Sequence, residues 1–513
     1  MGLLALQRLM SLQRAGVGAR QRRRRQQILD QNASVNKRKG SPCQQGSDGY
    51  SQAAKIMRCS IPDLPEDIWC HIHSLMPLRD AASAACVSHA FLRSWRCHPN
   101  LTLNINMLAS ETHACELSYS DKIDCILRNH SGCLKVLKLE LDCIFISRRH
   151  LDNWLCAAVT PGIEELTLLP YKRKYNVPLS LLSNGVRNSI RYLKIGYCTF
   201  RPTAELGPLR SLTSLYLCTL RITGDELECF LSNTLTLKQL VLVDCKEIIY
   251  LKIPCMLQQL GYLKIFECWR LQVIESKAPN LSIFCLSGEI SKVSLGETLH
   301  MRNLTLHRSN VVCYARADLP SIMPNLETLV LNSCGEVVST PMLPTKFLYL
   351  KHLSINLVAG LKLSLSYDYF SLVSFLDASP SLETLMLDVT QHLMKHESVV
   401  GGSSHLRQIP EHRHCCLKSV NITGFSSAKG LVELACYILK NAVSLESMTL
   451  DTIFGPRHRS RNNHTLCLPK STGILKEAPR AVTAIREFIE DKVPPTVQLN
   501  VLEPCSRCHV MPG

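Results

Sequence analysis

A recurring apolar pattern constrains the fold of this chain more than any other feature. The unit apolar-x-x-apolar-x-apolar recurs between residues 134 and 450, with start-to-start steps of 20 to 35 residues. Because self-similarity at roughly 20–50 residues is the signature of stacked repeats, the pattern predicts a solenoid. The thirteen units are Leu134/Leu137/Leu139, Ile163/Leu166/Leu168, Ile190/Leu193/Ile195, Leu212/Leu215/Leu217, Leu237/Leu240/Leu242, Leu260/Leu263/Ile265, Leu281/Phe284/Leu286, Met301/Leu304/Leu306, Leu326/Leu329/Leu331, Leu350/Leu353/Ile355, Leu382/Leu385/Leu387, Leu417/Val420/Ile422 and Leu445/Met448/Leu450.

Two further regularities argue against a chance match. Lys or Glu follows the first apolar residue in eight units: Lys135, Glu164, Lys238, Glu327, Lys351, Glu383, Lys418 and Glu446. Four units carry a cysteine three residues after the last apolar position: Cys198, Cys245, Cys268 and Cys334. This spacing resembles irregular leucine-rich repeats, whose Asn/Cys slot wants a small buried side chain, so these four thiols are predicted to pack rather than react.

The alternation within each unit predicts the surface that binds a partner. Residues in x-Leu-x-Leu-x form a short strand with the leucines inward, and stacked strands make a parallel sheet on the concave face of a curved solenoid. Aromatic residues among basic groups suit a protein partner that carries acidic or phosphorylated groups, although a merely solvated sheet face is the alternative. The candidate target-binding residues are Tyr192, Lys194, Tyr216, Tyr262, Lys264 and Phe266.

A helical segment with its own composition precedes the repeats, at residues 61–101. Asp63 and Glu66 have the form of a capping box, and Ile68, Ile72 and Leu75 then repeat on one helical face until Pro77. Two more short helices are predicted before Trp95. Helices this short cannot bury all of this apolar surface among themselves, so part of it is expected to contact a neighbour.

This segment resembles the F-box family. The matching positions are Leu64, Pro65, Glu66, Asp67, Ile68, Leu75, Pro77, Leu78, Asp80, Val87, Ser88 and Trp95. The resemblance implies docking on a Skp-type adaptor, and through it on a cullin. It assigns the adaptor interface to Leu64, Pro65, Ile68, Leu75, Leu78, Val87 and Ser88, with Phe91 and Trp95 closing the core of the module.

The segment 411–455 resembles the FBD region found near the C-terminus of many plant F-box proteins. Its helix is predicted to carry Leu431, Leu434, Ala435, Ile438 and Leu439 on one face and so to close the open end of the solenoid. A basic loop over 456–480 and a terminal helix, strand and cysteine-containing tail over 481–513 follow. The solenoid itself is predicted over 130–410.

The charge of the chain is concentrated in residues 1–60. The 513 residues have a formal net charge of +16, and this segment holds 12 basic residues against Asp30 and Asp48, which gives +10. It lacks hydrophobic periodicity, so it is predicted to be a disordered basic arm. A solvated tail, a nuclear import signal at Arg22–Arg25 and Lys37–Lys39, and a transit peptide remain open.

Composition also sets expectations for the compartment. We find no apolar run of about 18 residues that would span a bilayer, and Arg8 and Arg14 interrupt the first apolar stretch, which makes it a poor secretory signal. The expected location is the nucleus and/or the cytoplasm, with no membrane partner. In those compartments the 25 cysteines are expected to be reduced.

The sequence offers little that resembles catalytic chemistry. We find no phosphate-binding loop, H-E-x-x-H or G-x-S-x-G motif, and no cofactor is expected. Cys505, Cys508 and His509 have the haem-attachment form C-x-x-C-H, which a terminal position disfavours. A zinc site that joins the two cysteines to His412, His414, Cys415 or Cys416 is a further alternative, but these residues lack a recognised finger spacing, so no metal site is assigned.

The sequence therefore predicts an α/β chain, with a short three-helix F-box followed by a curved leucine-rich-repeat solenoid. The favoured function is a non-catalytic substrate-recognition adaptor of a ubiquitin ligase of the SCF type, built from a Skp adaptor, a cullin and an F-box protein. The alternative is a basic nucleic-acid-associated scaffold that uses the N-terminal arm. Since most of the charge lies in the arm, nucleic acid is not expected to bind the folded body. A leucine-rich-repeat receptor fragment is disfavoured, because no signal or membrane segment is found.

Overall fold

The computed structural model describes residues 64–86, 89–104, 119–141, 146–171, 174–203, 205–296, 298–336, 339–358, 367–390, 396–401, 405–453 and 471–504. The predicted basic arm, Val87, Ser88 and the terminal Cys505, Cys508 and His509 lie outside these residues. The chain divides into two compact units, Met1–Leu193 and Lys194–Gly513.

The first unit begins with short helices and continues with parallel strands that alternate with helices. Its elements are α1 Glu66–Ser74, α2 Leu78–Ala85, α3 His89–Arg96, β1 Asn100–Asn104, α4 Tyr119–Asn129, β2 Val136–Glu140, α5 Arg148–Ala158, β3 Glu165–Leu169, a 3-10 turn at Leu179–Leu182 and α6 Asn184–Ser189. The strand β4, Tyr192–Gly196, straddles the division between the units.

Prolines set the boundaries of the first two helices. Pro65 is the N-cap of α1, and Glu66 and Asp67 occupy its first turn, where the helix dipole favours negative charge. Pro77 is the N-cap of α2. The predicted capping box is wrong in register, because Glu66 is the first helical residue and not the third.

The repeat begins one unit earlier than predicted, at β1. Leu101 and Leu103 pair in register with Leu137 and Leu139 of β2 and are buried like them. The sequence pattern misses this unit because His98 stands where the first apolar residue belongs. His98 is nevertheless buried, and its Nδ1 accepts a hydrogen bond from the backbone N–H of Asn100 at 3.1 Å.

The second unit is built on a long parallel sheet. Its elements are β5 Ser214–Cys218, α7 Gly224–Leu231, β6 Gln239–Val243, β7 Tyr250–Ile253, β8 Tyr262–Phe266, β9 Val273–Ser276, β10 Ile283–Ser287, β11 Lys292–Ser294, β12 Asn303–His307, α8 Val311–Ile322, β13 Thr328–Cys334, β14 His352–Val358, a 3-10 turn at Tyr369–Leu372, α9 Val373–Ala378, β15 Thr384–Val389, β16 Ser419–Thr423, α10 Lys429–Asn441, β17 Ser447–Asp451, α11 Thr472–Phe488, a 3-10 turn at Glu490–Lys492 and β18 Gln498–Leu502.

All thirteen predicted strands are confirmed, and so is their alternation, except that Thr167 of β3 and Val241 of β6, which were predicted to face outward, are buried. Along β8, for example, Leu263 and Ile265 are fully buried, whereas Tyr262, Lys264 and Phe266 are half-buried on the opposite face. From β5 to β18 the neighbouring repeat strands pair in parallel and in register, so each inward pair of side chains lies beside the next. The face formed by the residues between the inward positions is called the open face below.

Four of the eight Lys and Glu residues that follow the first apolar residue of a unit form ion pairs with one another between neighbouring repeats. Lys135 Nζ lies 3.5 Å from Glu164, and Lys418 Nζ lies 3.2 Å from Glu383. The backbone carbonyls of the same residues accept hydrogen bonds from the next repeat, as in Glu164 N–H to Lys135 O at 2.8 Å. Since these pairs are exposed, each contributes little to stability.

Three of the four predicted slot cysteines are buried, and the fourth is not. Cys198, Cys245 and Cys268 lie just after a strand, behind residues in the left-handed conformation such as Asp244. A hydrogen bond to Cys268 together with burial raises the pKa of the Cys245 thiol, which keeps it protonated.

The prediction for Cys334 is wrong. The strand β13 runs on for seven residues, so its alternation continues, Ser333 takes the buried position and Cys334 is exposed on the open face.

The segments that return between the strands hold a second, smaller parallel sheet that the sequence analysis did not predict. It has the order β11-β9-β7. The strands of this sheet are only three or four residues long and lack the leucine pattern, although Leu251, Ile253 and Ile274 are fully buried.

The segment 411–455 does not end the sheet, contrary to the prediction. Its strand β17 pairs with β18, and the helix α10 is buried on nearly every side rather than on one face. Cys436 Sγ of α10 donates to the carbonyl of Phe488 at 3.3 Å, and Ser427 Oγ donates to Glu477 at 2.6 Å, so α11 covers α10. The helix α11 begins at Thr472, inside the span that was predicted to be a loop.

The different burial of the slot cysteines gives a stability prediction. We expect Cys245→Leu to lower the free energy of unfolding by about 1–3 kcal/mol, because a larger side chain overpacks a buried position. We expect Cys334→Leu to change it by no more than about 0.5 kcal/mol, because Cys334 is exposed. Urea unfolding of both variants measures the difference, and equal losses would contradict the assignment.

Candidate functional site

The inner face of the helical module is held by aromatic side chains. Trp69 and His73, one turn apart on α1, contact Phe91 of α3 edge-on with ring centroids 4.6 and 5.2 Å away. His73 is 1% exposed, and its Nδ1 lies 2.9 Å from the carbonyl of Trp69. Trp95 is buried, as the F-box resemblance implied. Trp69 and His73 are not among the core residues predicted from sequence, although their spacing of four residues is a usable signal.

The outer face of α1 is apolar and uncovered. Ile68, Ile72 and Leu75 are 42%, 36% and 74% exposed, and Pro65 before them is exposed as well. An aliphatic row at positions i, i+4 and i+7 is typical of a helix face that packs against another surface. Burial of one such side chain contributes about 1.5–3 kcal/mol to the free energy of that contact. This row has no intramolecular cover among the described residues.

The structure separates the predicted adaptor-binding residues into two groups. Ile68, Leu75 and Pro65 lie on the exposed face, and Leu64 is half-buried beside them. Leu78 is 7% exposed and packs inside the module, so in this conformation it is a core residue rather than a contact residue. Val87 and Ser88 lie outside the described residues.

Two histidines join the helical module to the first repeat within the N-terminal unit. His98 Nε2 lies 3.3 Å from the carbonyl of Met76, at the end of α1, and His130 Nε2 lies 2.8 Å from the carbonyl of His98. Burial lowers the pKa of His130, which favours the neutral ring. The helical module is thereby anchored to β1 through the hydrogen bonds of His98 and His130.

The open face of the C-terminal unit brings most of the predicted target-binding residues together. Tyr216 pairs in register with Val241, which pairs with Lys264, and Tyr262 lies two residues before Lys264 on the same face of its strand. Strands in a sheet are about 4.8 Å apart, so these side chains span about 10 Å. Tyr192 and Lys194 share the outward side of β4, and Tyr192 belongs to the N-terminal unit.

The contacts within this patch are aromatic and cationic. Lys264 Nζ lies 5.6 Å from the ring centre of Phe266, and Tyr216 Oη donates to Gln239 at 3.1 Å. Burial, with the neighbouring Cys285 and Tyr216, raises the pKa of Tyr262. We name Lys194, Tyr216, Tyr262, Lys264 and Phe266 the aromatic–basic patch.

Farther along, the open face becomes polar. The row that continues from Phe266 through Ser287 holds His307, Asn332, Asn356, Asp388, Thr423 and Asp451. His307 Nε2 lies 2.9 Å from Cys334 Sγ. The face therefore changes along the sheet from aromatic and basic to polar, with Asp388 half-buried on it and Asp451 buried, a change that is not among the predictions from sequence.

Comparisons with known proteins agree with this organisation. The F-box domain model matches residues 61–102, and the model of the At1g61320/AtMIF1 LRR domain matches residues 126–506. The putative FBD-associated F-box protein At5g53635 of Arabidopsis thaliana is 25% identical over 419 residues, which covers 76% of this chain and 95% of that protein. The putative F-box/FBD/LRR-repeat protein At5g56810 of the same plant is 26% identical over 412 residues, covering 76% and 89%.

An F-box followed by a leucine-rich-repeat sheet defines the class of this protein. The chain belongs to the F-box proteins whose repeats are of the At1g61320/AtMIF1 LRR type, and its relatives include FBD-type plant proteins. F-box domains generally bind Skp-type adaptors. Neither matching family model describes a catalytic domain. Among the described residues, the helices are too short or too polar to cross a bilayer.

The separation of an inner and an outer face in the helical module is testable. We expect Trp95→Ala to destabilise the module by about 3–5 kcal/mol, because it empties a buried aromatic position. We expect Leu75→Ala to stay within about 0.5 kcal/mol, because Leu75 is 74% exposed. Hydrogen exchange of residues 64–104 in the full chain measures both changes, and faster exchange in the Leu75 variant would place that side chain in the core.

Proposed function

We propose that this protein is the substrate-recognition adaptor of an SCF-type ubiquitin ligase. The exposed row of Ile68, Ile72 and Leu75 on α1 is the observation that carries the proposal. The helical module would dock on a Skp-type adaptor and through it on a cullin, while the open face of the repeats holds a target protein. The chain would act by raising the concentration of the target near the transfer enzyme, without chemistry of its own.

The physical reason for docking is the mismatch between the two faces of α1. The inner face packs against Phe91, and the outer face exposes aliphatic side chains to water. A helical partner that covers this row gains apolar burial without any rearrangement of the module. Leu64 and Pro65 extend the same surface at the start of the helix.

Loss of this row is expected to weaken docking strongly. For Ile68→Ser/Leu75→Ser we expect a loss of about 2–4 kcal/mol in adaptor binding, which is roughly 30- to 1,000-fold in the dissociation constant. The smaller change Leu64→Ala/Pro65→Ala should weaken binding in the same direction. Calorimetric titration of the full chain with a purified Skp-type adaptor measures the constants.

Val443→Ser provides a matched control for this experiment. Val443 is a 58% exposed aliphatic residue of the C-terminal unit, so replacing exposed apolar surface with a serine there should leave adaptor binding unchanged. Equal affinity of wild type and Ile68→Ser/Leu75→Ser would refute the proposed interface.

For the target we propose a protein that presents acidic or phosphorylated groups to the aromatic–basic patch. Lys194 and Lys264 supply positive charge, and the rings of Tyr216 and Phe266 supply rigid contact area beside it. These side chains do not fill the core, so they are available to a ligand without a cost in folding.

The proposed site of action is the nucleus and/or the cytoplasm.

Charge reversal in the patch is expected to lose the target. A full-length trap that carries Ile68→Ser/Leu75→Ser should accumulate targets when the proteasome is inhibited, because it cannot deliver them to the ligase. Adding Lys264→Glu should lower the captured amount of those proteins by at least about 10-fold. The reason is that repulsion between two like charges in an interface weakens binding by more than about 1.4 kcal/mol. Quantitative mass spectrometry of the captured proteins provides the measurement.

Lys292→Glu is the control for charge. Lys292 is exposed on β11, away from the open face, so the same change in net charge there should leave capture intact. Unchanged capture by the Lys264→Glu trap would exclude the patch as the target site.

A further inference from the structure

A cluster of potential metal ligands lies in the C-terminal unit, apart from both docking faces. Asp377 belongs to α9, and His412 and His414 lie in the extended segment that precedes β16. One ligand atom from each of these side chains lies within 4.8 Å of the others. Within the described residues, this is the one such group of three.

The geometry of the cluster is close to that of a coordination sphere. His414 Nε2 is 3.5 Å and His412 Nδ1 is 3.9 Å from Asp377 Oδ1. Atoms bound to one tetrahedral Zn²⁺ at 2.0–2.2 Å are about 3.3 Å apart. Small side-chain rotations therefore bring the three atoms onto one ion, and His412, whose side chain is 45% exposed, has the room to make them.

The backbone that carries the two histidines is fixed. Asn441, the last residue of α10, accepts a hydrogen bond from His412 N–H through its side chain at 2.9 Å and from His414 N–H through its carbonyl at 3.0 Å. Its side-chain amide also donates to the carbonyl of Pro410 at 3.1 Å. The two histidines are thus held in place by hydrogen bonds to the end of α10, and Asp377 is held in α9.

A second layer already orients the carboxylate. Tyr437 of α10 is fully buried and donates from its hydroxyl to Asp377 Oδ1 at 2.5 Å, while the same hydroxyl lies 3.0 Å from His414 Nε2. Outer partners of this kind fix the orientation of first ligands in metal sites.

We propose that Asp377, His412 and His414 bind a Zn²⁺ ion, with the fourth position open to solvent on the side of His412. Two imidazoles and one carboxylate form a donor set that zinc accepts and that the oxygen-preferring Mg²⁺ does not. The ion would tie the segment before β16 to α9 and α10. His414 would bind through Nε2 with its proton on Nδ1, while Tyr437 keeps its hydrogen bond to the carboxylate.

This site differs from the zinc site considered from the sequence. The two histidines are shared, but Asp377 lies 35 residues earlier in the chain, and only the fold brings it near. Cys415 and Cys416 are not part of the group. The donor set is therefore nitrogen and oxygen, without the thiolates of the terminal segment.

Zinc titration of the metal-free full chain against a chromophoric chelator tests the proposal. We expect His412→Ala to remove one tight equivalent of Zn²⁺ and to weaken that site by at least about 100-fold, more than the 10–100-fold typical of losing an outer partner. Tyr437→Phe should weaken it by about 10-fold. His412 is half-exposed, so its substitution spares the fold, whereas His414 is 6% exposed and is left intact.

Two controls separate this site from other histidines and from the thiols. His405→Ala, at an exposed position of the same segment, should keep the equivalent, and so should Cys505→Ser/Cys508→Ser. Co²⁺ bound at the site should show no thiolate charge-transfer absorption. The proposal is overturned if His412→Ala retains the full stoichiometry, if the serine double variant loses the equivalent, or if the wild type binds no Zn²⁺ tightly.

Discussion

The burial of each strand by its two neighbours is the constraint on which the rest of the structure depends. Leu263 and Ile265 are inaccessible only because Leu240 and Leu242 lie on one side and β10 lies on the other, in register. No single repeat has a core of its own. The stack therefore needs continuous pairing, which is why β18 and α11 extend it beyond the segment that was predicted to close it.

The same alternation separates folding from recognition. An inward position of a strand must hold an apolar side chain of a given size, whereas an outward position such as Lys264 contributes little to the core. The open face can therefore change from aromatic and basic to polar within one regular sheet. Relatives at 25% and 26% identity that span most of the chain are consistent with this freedom.

The sequence predicted the strands well because their signal is local. Two leucines separated by one residue are enough to mark a buried strand face, and every predicted unit formed one. What it missed depends on contacts that are distant in sequence. His98 replaces a leucine in the first repeat because its ring forms hydrogen bonds with backbone partners, and Asp377 meets His412 only because the fold brings α9 beside the segment that precedes β16.

Strand length explains the error at Cys334. A slot residue is buried when the chain turns right after the strand, as the left-handed Asp244 turns it before Cys245. In β13 the pairing with β14 continues for two further residues, and the period of two then carries Cys334 outward. A pattern that fixes the positions of leucines contains no information on where pairing stops, because that depends on the length of the neighbouring strand.

In the helical module, unlike in the repeats, the candidate binding surface consists of side chains that the packing of the module leaves exposed. Helices of eight or nine residues are marginal alone, so α1 depends on the contacts of Trp69 and His73 with Phe91. Those contacts fix which face of α1 is inward, and the aliphatic row is left on the other face by geometry. A helix that is apolar on two faces is complete only when both are covered. The intramolecular contacts of the described residues cover one, and the other is the surface on which the proposed adaptor would dock.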